Sequence, residues 1–331
     1  MTLSITRRKL IAALPAAAGA TLVPFGKASA QAGAWPSKTV RILVAFAPGG
    51  LTDAYARLYA EQFTARYGVT AVVENRPGAG GNIAIEALVK SPADGHTLLF
   101  STTGAVWQNR VLYRKLPFDL AKDITPVVIY PSGGLVMAVS EKVPARNYTE
   151  FVEWARKNPV VMGSNAPASF PHMMAEQMNK DHGLKIETVH YKGESPMWLD
   201  MASGATQVAV GSYQAFATVQ GRGVRAIGVT NQLRIPKLPD VPTLVEQGNK
   251  SELVNLVGGL PMTAPAGTPE DILRKLAAVA VDGTDAPKYK ALRDSFAIAD
   301  KVVGLEETRR IWREVAPKWI SQAEALGVKL D

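Results

Sequence analysis

The stretch "VRILVAFAPGGLTD", residues 40–53, joins an almost continuous apolar run to a Gly-Gly pair and an acidic residue that opens a periodic segment. A continuous apolar run is typical of a parallel strand that is covered on both faces. The next segment has apolar residues at helical spacing, with Thr52 or Asp53 placed to cap its start and Gly68 to end it. The apolar stripe consists of Tyr55, Leu58, Tyr59, Phe63 and Tyr67. The stretch therefore predicts a buried strand that turns sharply into a flanking helix.

The alternation of strand-like and helix-like segments continues outward from this stretch. Strand-like "TAVVEN" and "HTLLFST" enclose helix-like "NIAIEALVK", so residues 40–102 predict a βαβαβ unit. A second alternating series covers residues 135–230, and an amphipathic tail at residues 306–326 is expected to return and complete the first lobe. The fold class predicted is α/β with two lobes, each a mainly parallel sheet flanked by helices.

The first 30 residues, 1–30, predict a cleaved export signal rather than part of the globular fold. The basic cluster "TRRK" is followed by an apolar stretch at residues 10–25 and by "ASA", which has the form of a signal-peptidase site. The Arg7-Arg8 pair resembles a twin-arginine signal, although adjacent basic residues also open ordinary signals. A membrane anchor is the alternative, but prolines and a glycine interrupt the apolar stretch, which is shorter than the roughly 20 residues that span a bilayer.

The composition is that of a soluble globular protein, since 47% of the 331 residues are hydrophobic and 20% are charged. Removal of residues 1–30, which hold four basic and no acidic residues, lowers the formal net charge from +8 to +4. Such a small excess gives no reason to expect nucleic acid as a partner. Cysteine is absent, which excludes disulfides, a thiolate nucleophile and thiolate metal ligands.

Two glycine-rich loops follow predicted strands of the first lobe, and each leads into a predicted helix. One is Pro48-Gly49-Gly50, and the other is "NRPGAGGN", residues 75–82. A helix start offers unpaired N–H groups and a partial positive charge, which suit a carboxylate or a phosphate. A structural turn explains one such loop equally well, but two at one sheet edge favour a ligand site. No Gly-Lys-Ser/Thr follows either loop, which argues against a nucleotide-binding P-loop.

Polar residues occupy the corresponding places in the second series. Ser164 and Asn165 leave a predicted strand, and Ser169 and His172 enter a predicted helix. His172 is either a capping or packing residue or a ligand contact. The four histidines of the chain lack a metal-ligand spacing such as H-E-x-x-H, and no G-x-S-x-G nucleophile motif is present. We therefore expect no metal site, no cofactor and no catalytic residue.

Seven motifs in one order resemble the periplasmic substrate-binding proteins of tripartite tricarboxylate transporters, the Bug receptor family. The first is Pro48-Gly49-Gly50 with Asp53 and Arg57 behind it. The others are "VENRPGAGGNI", "DGHTLLFSTTG", "LPFDLAKDITPV", "HYKG", "LPDVPTLVEQG" and "APAGTPEDILRKL". The resemblance covers nearly the whole chain after the signal.

The resemblance implies a type II periplasmic binding protein fold, with lobe 1 at residues 34–133 and 256–331, lobe 2 at residues 134–255, and two hinge crossings. It implies that the lobes close on a small organic acid, whose carboxylate is held by the backbone and hydroxyl groups of first-lobe loops. The matching first-lobe positions are Pro48, Gly49, Gly50, Thr52, Asp53, Asn82, Thr102 and Thr103. The second-lobe positions are Ser164, Asn165, Ser169, His172, Tyr191, Gly211 and Ser212.

Two departures from the family pattern bear on the ligand. The second-lobe loop contains two prolines and Phe170, which predicts a stiffer and more apolar wall. Gly211 and Ser212 stand where the family commonly has an aspartate, and the loss of that acid disfavours a ligand amino group. We expect a dicarboxylate, or an aromatic carboxylate stacked on Phe170, Tyr191 or Phe216.

The resemblance further implies a non-enzymatic, monomeric receptor in the periplasm that delivers its carboxylate ligand to membrane transporter subunits. An exported hydrolase-type enzyme, using His172 with Ser164 or Ser169 on a carboxylate substrate, is one alternative. A ligand sensor that presents the loaded protein to a signalling partner is another.

Overall fold

The computed structural model describes residues 35–191, 193–256 and 258–331. The predicted export signal, residues 1–30, lies outside the described residues. Trp35–Asp331 forms one unit by its internal contacts. Within the described residues, no helix has the length and apolar character needed to cross a membrane.

The first of two five-stranded sheets has the strand order β2-β1-β3-β10-β4. Its strands are β1 (Val40–Val44), β2 (Ala71–Asn75), β3 (Thr97–Phe100), β4 (Ile124–Tyr130) and β10 (Leu260–Pro265). Strand β1 is parallel to β2 and β3, whereas β10 is antiparallel to both β3 and β4. Only β10 therefore runs against the other strands, and the predicted mainly parallel sheet is confirmed.

The second sheet has the order β7-β6-β8-β5-β9. Its strands are β5 (Leu135–Ser140), β6 (Val160–Ser164), β7 (Ile186–His190), β8 (Val208–Ser212) and β9 (Val224–Val229). Strand β6 is parallel to β7 and β8, and β5 is antiparallel to β8 and β9. In each sheet, the fourth strand in the order runs antiparallel to its neighbours. That strand, β10 or β5, is the first one after the chain crosses from the other sheet.

Twelve α-helices cover these sheets within the described residues. Those before the second sheet are α1 (Leu51–Tyr67), α2 (Asn82–Val89) and α3 (Asn109–Leu112). Those between β5 and β10 are α4 (Tyr148–Ala155), α5 (Phe170–His182), α6 (Glu194–Ser203), α7 (Tyr213–Ala217) and α8 (Glu252–Asn255). The tail forms α9 (Glu270–Asp282), α10 (Pro287–Ser295), α11 (Leu305–Glu314) and α12 (Ala316–Ala325). Helices α9 and α11 pack against β4, so the tail returns to the first sheet, as predicted.

The opening stretch folds as predicted, with one correction at the helix start. Strand β1 is buried along nearly its whole length, and the stripe of α1 is buried from Tyr55 to Phe63. The N-cap of α1 is Gly50, however, and neither Thr52 nor Asp53 caps the helix. Asp53 instead lies in the first turn and accepts a hydrogen bond from the N–H of Gly49, the residue before the cap. Gly68 ends α1 in the left-handed conformation, with φ of 67°.

Two parts of the fold differ from the sequence-based expectation. Strand β4 was not predicted, and it reaches the sheet by pairing with β10, more than one hundred residues later in the chain. The amphipathic tail, which the sequence analysis does not divide, forms two helices, because α11 ends at Glu314 and Pro317 lies in the first turn of α12. Proline lacks an N–H and its ring collides with the preceding turn, so one continuous helix cannot form there.

Candidate functional site

The predicted first-lobe residues gather at the carboxyl edge of the first sheet. Val44 is paired with Asn75 on one side and with Phe100 on the other, so β1, β2 and β3 end at the same level. The strand order reverses between β1 and β3, and such a switch point opens a crevice at the carboxyl ends of the strands. The loops that leave β1, β2 and β3 therefore meet around this crevice.

The loop after β1 presents an open helix start. Pro48, Gly49 and Gly50 are exposed, and a Cβ atom on either glycine would meet nothing within 4 Å. The first hydrogen bond of α1 runs from Ala54 N–H to Gly50 C=O, 3.0 Å apart. The amides that precede Ala54 in the helix have no carbonyl partner in the helix itself, and they lie at its positive end.

Asp53 fixes the shape of this loop. Its carboxylate accepts hydrogen bonds from Gly49 N–H at 3.0 Å, from Asn75 Nδ2 at 2.9 Å, and from Arg57 at 2.9 and 3.0 Å. Asn75 Nδ2 also donates to Phe46 C=O at 3.0 Å. Burial alone would raise the pKa of Asp53, but the bonds from Arg57, Gly49 and Asn75 outweigh it and lower the pKa below its ordinary value. Asp53 therefore holds the loop and has little capacity left for a ligand.

The loop after β2 contacts the loops that follow β1 and β3. Residues 78–81 all have positive φ, with values of 128°, 46°, 62° and 98°. A Cβ atom on Gly81 would lie 3.1 Å from the Cβ of Ala105 and 3.3 Å from that of Ala45, so only glycine allows this approach. Asn82 is buried and accepts a 2.7 Å hydrogen bond from Asn109 Nδ2.

The two threonines predicted after β3 are both hydrogen-bonded, Thr102 within its own loop and Thr103 to the segment before β10. Thr102 Oγ1 accepts a hydrogen bond from Ala105 N–H at 3.2 Å, and Thr103 N–H donates to Gly259 C=O at 3.1 Å. Ser101, which was not predicted, is fully buried beside them, and its hydroxyl has no hydrogen-bond partner among the described residues. Its only sequence signal was its position at the end of a predicted strand.

The predicted second-lobe residues gather at the carboxyl edge of the second sheet, where Ser164 is paired with His190. Ser164 Oγ lies 2.7 Å from Ala166 C=O, to which it donates, and 2.9 Å from the Oγ of Ser169, the N-cap of α5. Asn165 accepts a bond from Gly193 N–H through its backbone carbonyl, at 3.1 Å. These contacts shape a tight turn that points the start of α5 along the edge.

His172 lies in the first turn of α5 and packs on His190, with ring centroids 4.7 Å apart. Its Nδ1 accepts a 3.0 Å hydrogen bond from Ala168 N–H, so the neutral ring carries its proton on Nε2. Burial and then the neighbouring His190 lower the pKa of His172. Among the described residues, no hydrogen bond joins His172 to Ser164 or Ser169, as a serine–histidine catalytic pair would require.

Tyr191 and Ser212, also at the edge of the second sheet, each donate hydrogen bonds to an acidic side chain. Tyr191 donates its hydroxyl hydrogen bond to Asp200 at 2.8 Å, and its pKa is raised to about 12 by burial and by that bond. Ser212 caps α7 through Ala215 N–H at 3.3 Å. Its own N–H and hydroxyl donate to the carboxyl group of Glu194, which was not predicted.

The start of α5 rests on the first lobe, which brings the two edges to one junction. Gln108 Nε2 lies 3.3 Å from Met173 Sδ, and the rings of Phe170 and Trp319 are 6.0 Å apart. Phe216 instead is 1% exposed and packs on Trp198 in the core. Among the described residues, no hydrogen bond joins a predicted first-lobe residue to a predicted second-lobe residue.

A cavity of about 240 Å³ lies at the chain crossings and not at the predicted site. Residues 131–133 of one crossing and Asn255 and Gly258 of the other line it together with residues 129, 231–233, 300, 301 and 303, and none of the predicted ligand residues does. Within the described residues, no group of three or more His, Cys, Asp or Glu side chains could hold a metal ion.

The chain matches a family of transporter receptors over most of its length. Residues 55–327 match the family described as "Tripartite tricarboxylate transporter family receptor". A "UPF0065 protein in tcbD-tcbE intergenic region" of Pseudomonas sp. (strain P51) is 30% identical over 325 residues, 94% of each chain. The protein BugT of Bordetella pertussis is 28% identical over 310 residues, 92% of this chain and 94% of BugT.

Two solved structures superpose on most of this chain and share its fold. "R. palustris Rpa4515 with adipate" superposes with a TM-score of 0.75 at 29% identity, covering 89% of this chain and 100% of that chain. The "periplasmic binding protein BugD" superposes with a TM-score of 0.70 at 26% identity, covering 89% of this chain and 100% of that chain.

Proposed function

The chain belongs to the tripartite tricarboxylate transporter receptor family, and from this we propose that it captures a small organic acid between its lobes in the periplasm and delivers it to membrane transporter subunits. The predicted boundaries, residues 34–133 with 256–331 and residues 134–255, are our proposal for the two lobes. Residues 1–30 would be the cleaved export signal, with the Arg7-Arg8 pair favouring the twin-arginine route.

The open start of α1 is the observation that carries this proposal. Its free amides lie at the switch point between β1 and β3, the two glycines before them leave the approach clear, and Asp53 fixes the loop in advance. A preformed set of backbone donors at a positive helix end stabilises a carboxylate without an arginine. The loop amides of residues 50–53, rather than the Asp53 side chain, are the proposed first-lobe contacts.

The second lobe would close over the rest of the ligand. His172 Nε2–H, the side chain of Asn165 and the edge at Ser212 are the proposed contacts, with Ser164 and Ser169 shaping the turn between them. A dicarboxylate is the favoured ligand class, because the adipate-bound relative shares this fold at 29% identity. The aromatic alternative has less support, since Phe216 lies in the core and Phe170 packs on Trp319.

A receptor rather than an enzyme is proposed because the serine and histidine side chains at the second edge are bonded to other partners. Thermal unfolding of the mature protein with organic acids, amino acids and aromatic carboxylates tests this directly. A ligand that binds only the folded state raises the melting temperature. We expect a large rise with one carboxylate and no consumption of it by NMR. Consumption would establish an enzyme, and no rise with any carboxylate would refute the proposal.

A further inference from the structure

Glu194 places a carboxyl group at the ligand edge of the second lobe. It is the first residue of α6, and its oxygens accept hydrogen bonds from Ser212 N–H at 3.1 and 3.2 Å and from the Ser212 hydroxyl. Ser212 ends β8, which is parallel to β6 and therefore ends at the same edge as Ser164. Glu194 as a residue is only partly buried.

Gly211 makes the room that Glu194 occupies. A Cβ atom on Gly211 would lie 3.2 Å from Glu194 Cδ and 3.0 Å from Trp198 Nε1, closer than ordinary packing allows. Gly211 and Ser212 stand at the end of β8 in place of an acidic residue, which predicts an edge without an acid. In the structure, α6 supplies the acidic group from another element, and the glycine at 211 is what permits it.

Within the described residues, Trp198 places an unpaired hydrogen-bond donor beside Gly211 and Glu194. Its side chain is fully buried, and its indole N–H has no hydrogen-bond partner among the described residues. A buried donor without a partner costs about 1–3 kcal/mol, so an acceptor is expected to meet it. The N–H lies beside Gly211, next to the Glu194 carboxyl group.

No described cation forms an ion pair with Glu194. The strands packed against α6, namely β5, β6 and β8, carry no ionisable side chain, and α7 contributes only Tyr213. His190 and Tyr191 precede α6, His172 packs on His190, and Asp200 on α6 is bonded to Tyr191. Burial raises the pKa of Glu194, while the hydrogen bonds from Ser212 oppose that rise. Neutralisation of this carboxyl group is therefore favoured when a closing lobe removes water from it.

We propose that Glu194 takes up one proton when ligand binds and donates it as a hydrogen bond to a second carboxylate of the ligand, so that Glu194 selects dicarboxylates. Two carboxylates at hydrogen-bond distance cannot both remain ionised and instead share a proton. The proton comes from solvent: the Glu194 carboxylate, a proton and the ligand carboxylate combine into one hydrogen-bonded pair. This inference rests on the proposed receptor function.

Calorimetric titration in buffers of different ionisation enthalpy tests the inference, because it counts protons taken up on binding. The probes are matched pairs, succinate with butyrate, adipate with hexanoate and terephthalate with benzoate, near neutral pH, where the free acids are ionised. We expect a dicarboxylate to bind with uptake of about one proton and its monocarboxylate partner with none. Glu194→Gln should bind the dicarboxylate with no uptake, since its amide already carries a donor. The exposed Glu187→Gln serves as the control and should behave as wild type.

Three results would overturn the inference while leaving the receptor function intact. The first is that a monocarboxylate or an amino acid binds more tightly than any dicarboxylate. The second is that a dicarboxylate binds without proton uptake, and the third is that Glu194→Gln takes up as many protons as the wild type. Loss of all binding in a normally folded Glu194→Gln would assign Glu194 a structural role and also overturn it. Absence of binding by every carboxylate would instead refute the proposed function itself.

Discussion

Arg57 binds Asp53 from one helical turn away, with Nε 2.9 Å from one carboxylate oxygen and Nη2 3.0 Å from the other. The same carboxylate holds the N–H of Gly49, so the arginine, the aspartate and the glycine loop form one unit. The motif residues Asp53 and Arg57 therefore act on the ligand through the loop they shape. The loop is ready before the ligand arrives, which reduces the entropy lost on binding.

Asp53→Asn tests this unit through the pH dependence of stability. The folded state lowers the pKa of Asp53, so its interactions stabilise the fold above the ordinary value of about 3.9 and are lost as the pH falls through the lower folded value. We expect Asp53→Asn to lose about 1–3 kcal/mol of unfolding free energy at neutral pH and to show a shallower decline in acid. Urea unfolding at a series of pH values measures both quantities.

The control for this experiment is Asp282→Asn, which removes an exposed ion pair with Arg66, 2.6 Å long. It should lose less than about 1 kcal/mol, because exposed pairs contribute little. If the unfolding free energy of Asp53→Asn fell in acid as steeply as that of the wild type, the role assigned to Asp53 would be contradicted.

Gly50→Asp tests whether the start of α1 is an anion site. Gly50 and Gly304 are N-caps with nearly the same backbone, at φ −82° and ψ 171° and at φ −73° and ψ 175°. Aspartate should improve either cap by a few tenths of a kcal/mol. Only Gly50→Asp should weaken carboxylate binding, by about tenfold or more, because its charge occupies the place proposed for the ligand. Titration calorimetry measures the carboxylate affinity of both variants. Equal affinities of Gly50→Asp and Gly304→Asp would place the ligand elsewhere.

Periodicity was sufficient to predict the strands and helices near the opening stretch. Strand β1 is apolar throughout and α1 has a regular stripe, so burial and local preference indicate the same structure. Strand β4 carries a proline, Pro126, and gains its place by pairing with β10 from the far end of the chain. Local patterns do not contain that pairing, which is why β4 was not predicted.

The loops of the site could be predicted from sequence, but the roles of individual side chains could not. Asp53 and Thr103 are bonded to Asn75 and Gly259, which belong to other segments and approach them in space. No spacing along the chain reveals these contacts. Glu194 was missed for a related reason, since its partner Ser212 is 18 residues away along the chain. A glycine at an expected acidic position was the available signal.

Gly259→Ala and Gly258→Ala form a matched pair at the second crossing. A Cβ atom on Gly259 would lie 2.5 Å from Ile129 Cγ2 and 2.7 Å from the carbonyl oxygen of Tyr130, whereas one on Gly258 meets only side chains at 3.4 Å or more. We expect Gly259→Ala to lose about 1–3 kcal/mol and Gly258→Ala about 0.5 kcal/mol or less. Because Thr103 is bonded to Gly259, only Gly259→Ala should also weaken ligand binding. Denaturant unfolding measures these losses, and equal losses of unfolding free energy in the two variants would refute the assigned packing.

The tautomer of His172 gives a spectroscopic test of the second edge. Ala168 N–H occupies Nδ1, so nitrogen-detected NMR should show the neutral ring with its proton on Nε2, available as a donor to a carboxylate. Its pKa should lie below the ordinary value of about 6.5, so the unfolded chain takes the proton first and stability falls as the pH drops from 6.5 to the lower folded value. Removing the neighbouring ring in His190→Ala should raise the pKa of His172, while His182→Gln, at the far end of α5, should leave it unchanged. A proton on Nδ1 at neutral pH would contradict the hydrogen bond from Ala168 and remove His172 as a donor to the ligand.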